Sequence, residues 1–365
     1  MAITPVRERL SPDVFRLPVE KIRDGYYSDA YFNYSKTLLE GDGQHPRVLM
    51  QVFQKRDSVL GGIDEAIAVL KECSGRQDPG GEWIRGWDEL DVHALHEGDA
   101  IGPHETVMTI EGDYSLFVHL ETVYLGSLAR RSLIMRNVHE VVEAANGKPI
   151  LFFPARHDHW LVQTGDGWAA HVAGAIGVST DAQASWWGGR GVGTVPHALI
   201  AAFGGDTVAA ARLFADRYHD ETNITVLVDF ENDSVRTTLE VADALGEHLW
   251  GVRLDTSEQL VDVALQDEPD PDSNRGVTPL LTRRVRDALD AAGHQQVRIV
   301  VSGGFDDEKI ARFEAEGAPV DAYGVGSSLL RGQNDFTADV VRVDGRPLSK
   351  AGRQENPNPR LELVD

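Results

Sequence analysis

From about Lys148 onward the chain repeats a strand, turn and helix rhythm, and this repetition limits the folds open to it. Seven short apolar runs rich in β-branched residues are predicted as strands: Ile150–Phe153, Ala170–Ile176, Gly191–Thr194, Ile224–Asp229, Leu249–Leu254, Val297–Ser302 and Ala322–Val325. Helical stretches stand between most of them, among them Val235–Leu245, Pro279–Ala292 and Asp307–Glu316. Units of this kind build a parallel sheet with helices outside, and seven in succession suit an α/β barrel better than an open sheet. The Pro/Asp-rich stretch 266–275 is predicted as a loop.

The first part of the chain reads differently. Ser58–Cys73 has helical spacing, with Leu60, Ile63, Ile67 and Leu70 on one face. Val92–Glu111 alternates short apolar runs with Glu-Gly and Pro-His breaks, the pattern of a small β-barrel. Leu116 to about Ala145 is predicted as a long, mostly apolar helix or helix pair, and Ala338–Val343 as a strand before a polar tail. No apolar run reaches membrane-spanning length, and the N-terminal residues, with Arg7 and Arg9, lack an apolar signal core, so a cytoplasmic location is expected. Cys73 is the sole cysteine, which excludes an intrachain disulfide and a cysteine-cluster zinc site. The net charge of −23 comes from 35 basic and 58 acidic residues spread along the whole chain. With few lysines among the bases, this balance points to adaptation to high salt. It also disfavours a nucleic-acid partner and requires any phosphate site to gather local donors.

In parallel α/β folds the site forms at the carboxyl ends of the strands. Those ends supply a coherent set here. Gly303-Gly304 and Gly324-Val325-Gly326-Ser327 are turns at which backbone N–H groups can approach an oxyanion. Asp229 and Asp255 are carboxylates suited to ribose hydroxyls or to Mg²⁺. Arg253 can pair with a phosphate or carboxylate. Phe153 and Arg156 can sandwich a flat heterocycle, the guanidinium also pairing with a carboxylate. His197, after the Gly193-Thr194 turn, can move a proton or accept a phosphoryl group. His157 and His159 are weaker candidates, and no third ligand of metal-binding spacing accompanies them.

Taken together and in this order, the residues from about 25 to 330 resemble the nicotinate/nicotinamide branch of the type II phosphoribosyltransferases. Phe153 and Arg156 look like that family's pyridine-binding pair. Asp29-Ala30-Tyr31 is similar to its N-terminal element, whose tyrosine stacks on the pyridine from a partner subunit. Gly193-Thr194-Val195-Pro196-His197 resembles the segment carrying the histidine that ATP phosphorylates. Asp229 matches a carboxylate near metal and pyrophosphate, Arg253 and Asp255 match the strand that binds ribose, and the two glycine turns match the 5-phosphate loops. Where members often carry a second arginine, this chain has His157. Thr180 falls in Gly177-Val178-Ser179-Thr180-Asp181, which aligns either with the Thr-Asp of nicotinamide-specific members or with the Thr-Ser of nicotinate-specific ones.

The resemblance implies an irregular seven-stranded β/α barrel (residues 148–332), an N-terminal α/β-sandwich domain (1–147), and a C-terminal extension (333–365) packing on that domain. It implies a homodimer or higher homo-oligomer with interface sites, Mg²⁺, ATP as co-substrate, and transfer from phosphoribosyl pyrophosphate to nicotinate in NAD biosynthesis. In that scheme His197, Asp229 and Asp255 are catalytic. Tyr31, Phe153, Arg156, Thr180 and Arg253 bind substrate, Gly303, Gly304, Gly324, Gly326 and Ser327 hold phosphate, and Asp229 guides the metal. The same fold acting on nicotinamide or quinolinate is the alternative, although quinolinate's two carboxylates call for a denser basic cluster. A non-catalytic carrier module is disfavoured, because residues 72–147 contain no lysine for a hairpin tip.

Overall fold

The computed structural model describes residues 4–365, which divide into two compact units: 4–136 with 332–365, and 137–331. The division falls inside the helix Glu121–Ala144.

The first unit is built on an antiparallel sheet of six strands, in the order Arg346–Pro347, Phe336–Val343, Arg47–Gln54, Thr106–Asp113, Asp91–Ala94 and Glu362–Leu363. Alternate residues Val48, Met50 and Val52 of the central strand enter one core with Ile63, Ile67 and Leu70 of the helix Ile63–Cys73. That alternation follows from the two-residue period of a strand, as the spacing on the helix follows from its 3.6-residue period. The sequence placed the helix start at Ser58, five residues early. Ser58–Val59 is a short strand instead, and Gly61-Gly62 separates it from the helix, with Gly62 at φ +79°. A Cβ on Gly61 would lie 2.8 Å from the backbone of Arg131, so the close approach there requires glycine. Cys73 is buried.

In the second unit a parallel sheet has the order Ile224–Leu227, Leu249–Leu254, Arg298–Val301, Ala322–Val325, Ile150–Phe152 and Gly177–Val178. Ile224–Leu227 and Ala322–Val325 are buried at every position, as strands covered on both faces must be. Helices follow the strands with explicit start signals. Thr278 caps Pro279–Ala291, whose first residue is the proline suited to that position, Asp233 caps Ser234–Leu245, and Asp306 caps Asp307–Ala315.

Two predicted strands are corrected. Residues 170–172 of Ala170–Ile176 end the helix Gln163–Val172, 173–176 form a turn, and the strand comes after it at Gly177–Val178. The small residues of that stretch fit either element, and tertiary packing decides. Gly191–Thr194 forms no strand. The chain runs there between the two sheet edges. Val192 donates to the Val178 carbonyl at 2.7 Å and Val195 to the Thr225 carbonyl at 2.9 Å. Edges that lie within three residues of one another on the same segment mean that the sheet curls into a half-barrel. Gly167 makes another close approach. A Cβ there would fall on the Gln183 carbonyl oxygen and 2.5 Å from its Cα, so the helix Gln163–Val172 and the short helix Asp181–Ala184 meet backbone to backbone. Among the described residues, no helix is long and apolar enough to cross a membrane.

Candidate active site

The strand ends of the second unit converge on a cavity of about 170 Å³. Its wall takes in Phe153, Arg156, Arg253, Asp255, Gly303, Gly304, Gly324, Gly326 and Ser327, nine of the residues singled out in the sequence. His157, Ser302, Phe305, Ser328 and Arg331 complete it.

Arg253 is the hub. Leu249–Leu254 is a buried strand, and Arg253 is one position before its end, with a side chain only 19% exposed. Its Nε donates to the Ser302 hydroxyl at 2.7 Å, one terminal nitrogen reaches the Thr194 hydroxyl at 3.3 Å, and the other lies 3.6 Å from Asp255. The guanidinium stacks over the Phe153 ring, 5.1 Å from its centre. Ser302 passes the contact on, donating its own hydroxyl to Asp255 Oδ1 at 2.6 Å. Burial pulls the Arg253 pKa below the ordinary arginine range against the opposing pull of Asp255 and Asp229, and an arginine so shifted is still charged at neutral pH. Among the described residues the second oxygen of Asp255 takes no hydrogen bond, which leaves it an acceptor for a ligand hydroxyl.

The two glycine turns meet this network. Gly303 and Gly304 have φ of +90° and +64°, conformations that keep a side chain out of the turn. A Cβ on Gly324 would lie 2.8 Å from the Phe153 ring, so the ring rests on bare backbone. Ser328 donates its hydroxyl to the Phe305 carbonyl at 2.7 Å and ties the second turn to the first.

His197 and Asp229 form a neighbouring pair, His197 Nε2 standing 2.9 Å from Asp229 Oδ1. The hydrogen bond to Asp229 raises the histidine pKa, with partial burial opposing and Asp255 adding to the rise. His197 begins the helix His197–Ala202. Neither residue lines the cavity, but Asp229 and Asp255 both act on the charge of Arg253. Thr180 is used locally. It caps the helix Asp181–Ala184 and donates to Gln163 Oε1 at 2.9 Å. Tyr31 belongs to the other unit, 59% exposed on the helix Ala30–Gly41, beside Phe32.

Ser302 and Thr194 belong to this network, although the sequence reading passed over their side chains. A serine closing a buried strand just before a glycine pair is the one signal that pointed to the first, and nothing local marked the second. His157 stands where a second arginine was expected. Burial first, then the charge of Arg156, lowers its pKa, so it is neutral at pH 7. Its stabilising effect is therefore present above the unfolded pKa of about 6.5 and is lost as pH falls through the folded value. In an imidazole ¹⁵N NMR titration, His157 is expected to titrate below 6.5 and to move toward 6.5 in Arg156→Ala. A midpoint untouched by that substitution removes the electrostatic coupling.

A larger cavity, about 550 Å³, also takes Phe153 as part of its wall. Its other walls include Pro149, Ile176, Asn223, Trp250 and Asp321, residues at the amino ends of the strands, and its surface is mostly apolar. Size does not select it, because the charged and glycine groups gather at the opposite strand ends.

Comparison with known proteins places the chain in a family. Residues 29–132 match the quinolinate phosphoribosyl transferase N-terminal domain family. A nicotinate phosphoribosyltransferase of Mycobacterium tuberculosis is 32% identical over 285 residues, covering 75% of this chain, and the chain spans 58% of the length of that relative. A second mycobacterial nicotinate phosphoribosyltransferase is 30% identical over 275 residues, 71% of this chain and 53% of its own length. The crystal structure of nicotinate-nucleotide pyrophosphorylase from Pyrococcus furiosus superposes with a TM-score of 0.78 at 33% identity, covering 95% of this chain and 85% of that one. Human nicotinic acid phosphoribosyltransferase shares the fold, with a TM-score of 0.66 at 18% identity over 90% of this chain and 77% of its own. With this extent of shared sequence and fold, the chain belongs to the nicotinate phosphoribosyltransferase family.

Proposed function

We propose that the chain transfers the phosphoribosyl group of phosphoribosyl pyrophosphate to nicotinate, releasing pyrophosphate, in NAD salvage. The observation that carries this reading is the single cavity wall shared by the Phe153–Arg156 pair, the Arg253–Ser302–Asp255 network and both glycine turns. These are the parts that a ring carboxylate, a ribose and a phosphomonoester require.

The lone pair of the pyridine nitrogen forms the new bond to the anomeric carbon while the carbon–oxygen bond to pyrophosphate breaks, its electrons leaving with pyrophosphate. The transition state resembles an oxocarbenium ion, so catalysis rests on in-line positioning and on neutralising the leaving group. Phe153 orients the pyridine and Arg156 pairs with its carboxylate. Asp255, held by Ser302, accepts from the ribose hydroxyls. Gly303, Gly304, Gly324, Gly326 and Ser327 hold the 5-phosphate.

Among the described residues no three or more His, Cys, Asp or Glu side chains gather as a metal site. A magnesium ion needs fewer, because it takes one or two carboxylates and draws its other ligands from substrate phosphates and water. The second oxygen of Asp229 takes no hydrogen bond among the described residues and fits that part. When bound, the ion supplies positive charge to the departing pyrophosphate.

His197 serves as phosphoryl acceptor from ATP, Asp229 fixing one ring nitrogen so that the other is presented. Residues 148–332 form the phosphoribosyl-binding domain, with 191–195 as the irregular seventh position of its barrel. Residues 1–147 form the sandwich domain, with 333–365 packed on it. Tyr31 of a second copy completes the pyridine site in a cytoplasmic homodimer, and Thr180 flanks the base.

The test is an assay of purified protein at high salt with phosphoribosyl pyrophosphate, Mg²⁺ and nicotinate, nicotinamide or quinolinate, with and without ATP. Pyrophosphate release with nicotinate is expected. Release with another pyridine alone reassigns the base, and release with none of them overturns the reading. Arg156→Ala is expected to raise the KM for nicotinate about thirtyfold, on the order of 2 kcal/mol for a lost charged hydrogen bond. An unchanged KM shows that the carboxylate is held elsewhere.

A further inference from the structure

Lys309 lies in the helix Asp307–Ala315, just beyond the Gly303–Gly304 turn. It does not line the cavity. Its ammonium donates to the Gly303 carbonyl at 2.9 Å and sits 4.4 Å from the centre of the Phe305 ring. The Gly303 carbonyl and the Gly304 N–H are opposite ends of one rigid peptide plane. A cation accepted at the oxygen end fixes that plane and polarises its N–H, making it a stronger donor to an anion.

The surroundings give that charge a purpose. A Cβ on Gly303 would lie 3.5 Å from Asp255 Oδ1, and one on Gly304 would meet the carboxylate of Glu258. Two anions therefore border a turn assigned to a phosphate, in a chain whose net charge is −23. The ammonium is partly buried, and burial lowers its pKa while Glu258, Asp306 and Asp255 pull it back up and Arg312 pushes it down.

We propose that Lys309 is a positioning residue for the sugar phosphate: it clamps the Gly303–Gly304 peptide by its oxygen and strengthens the N–H that faces the phosphate group. This rests on the glycine turns being the phosphate site of the proposed transferase. The ligand class is a phosphomonoester, and inorganic phosphate is the probe.

The test is titration calorimetry of inorganic phosphate into the full chain, its Lys309→Met variant and its Lys309→Arg variant, with steady-state kinetics alongside. Lys309→Met is expected to weaken phosphate binding about tenfold and to raise the KM for phosphoribosyl pyrophosphate by a similar factor, with kcat within about threefold, while Lys309→Arg recovers most of the affinity. A structural role alone does not produce that split. Phosphate affinity within twofold of the parent in Lys309→Met overturns the proposal. Should that variant melt early, Lys309→Gln is compared with Lys309→Arg below both transitions, and equal affinities overturn it likewise. If the parent chain binds phosphate and Lys309→Met binds it equally, the turn stands and Lys309 falls. If the parent binds none, the phosphate reading of the turn itself fails and takes the proposal with it.

Discussion

Arg253→Met is expected to lower kcat/KM for the proposed phosphoribosyl transfer about a thousandfold, a loss of about 4 kcal/mol in transition-state stabilisation. The size follows from the number of contacts one side chain makes. Arg253 holds the Ser302 hydroxyl, the Thr194 hydroxyl and the Phe153 ring, and balances Asp255. Methionine keeps much of the volume and loses every polar contact. Asp255 then keeps its charge in a half-buried position without its counter-ion, and Ser302 loses the donor that orients it. Arg253→Lys restores charge without the planar fork and is expected to recover about tenfold of the loss, because one ammonium cannot reach three partners and stack as well. Steady-state kinetics with phosphoribosyl pyrophosphate varied at saturating nicotinate, checked by near-ultraviolet circular dichroism for an intact fold, measures both. Activity of Arg253→Met within tenfold of the parent would show that the network is packing, and that the chemistry lies elsewhere.

The second large effect concerns stability. Gly167→Ala places a methyl group on the Gln183 backbone, which has no flexible end to swing away. Two helices must separate, so about 3 kcal/mol of destabilisation is expected, at the upper end of the ordinary range for overpacking. For a unit of this size that corresponds to a fall of about 10 °C in Tm. Gly126→Ala is the control, in a helix where an added Cβ meets nothing within 4 Å. There the gain in helix propensity is expected to stabilise by up to about 1 kcal/mol. Thermal denaturation followed by circular dichroism separates the two, and equal melting temperatures for Gly167→Ala and the parent would mean that the helices are not in backbone contact.

The strand ends were legible in the sequence because their chemistry is local. A β-branched run that stops at Asp, Arg-x-Asp or Gly-Gly announces both a buried strand and the polar group at its mouth. Phe153, Arg253, Asp255 and the two glycine turns were all found in this way, and they share one cavity. What was not legible depends on partners distant along the chain. Ser302 acquires meaning only between Arg253 and Asp255, and Thr194 only when the curled sheet brings it to Arg253. Gly191–Thr194 misled because alternating glycine and β-branched residues fit a short strand, whereas the segment has one backbone hydrogen bond to a sheet edge, from Val192, and no ladder of its own. Ala170–Ile176 misled because alanine and glycine carry little period of either kind.

The two attachments of that segment, from Val192 and from Val195, have a mechanical consequence. A sheet closed by a full ladder on every side resists any change of girth, since each strand is bound along its length to two neighbours. Here the two edges of the half-barrel meet on one segment, held by the Val192 hydrogen bond on one side and the Val195–Val226 bridge on the other. Any widening of the curled sheet would be taken up there first, five residues or fewer from His197, because the strands that carry Arg253 and the glycine turns are bound to their neighbours by ladders.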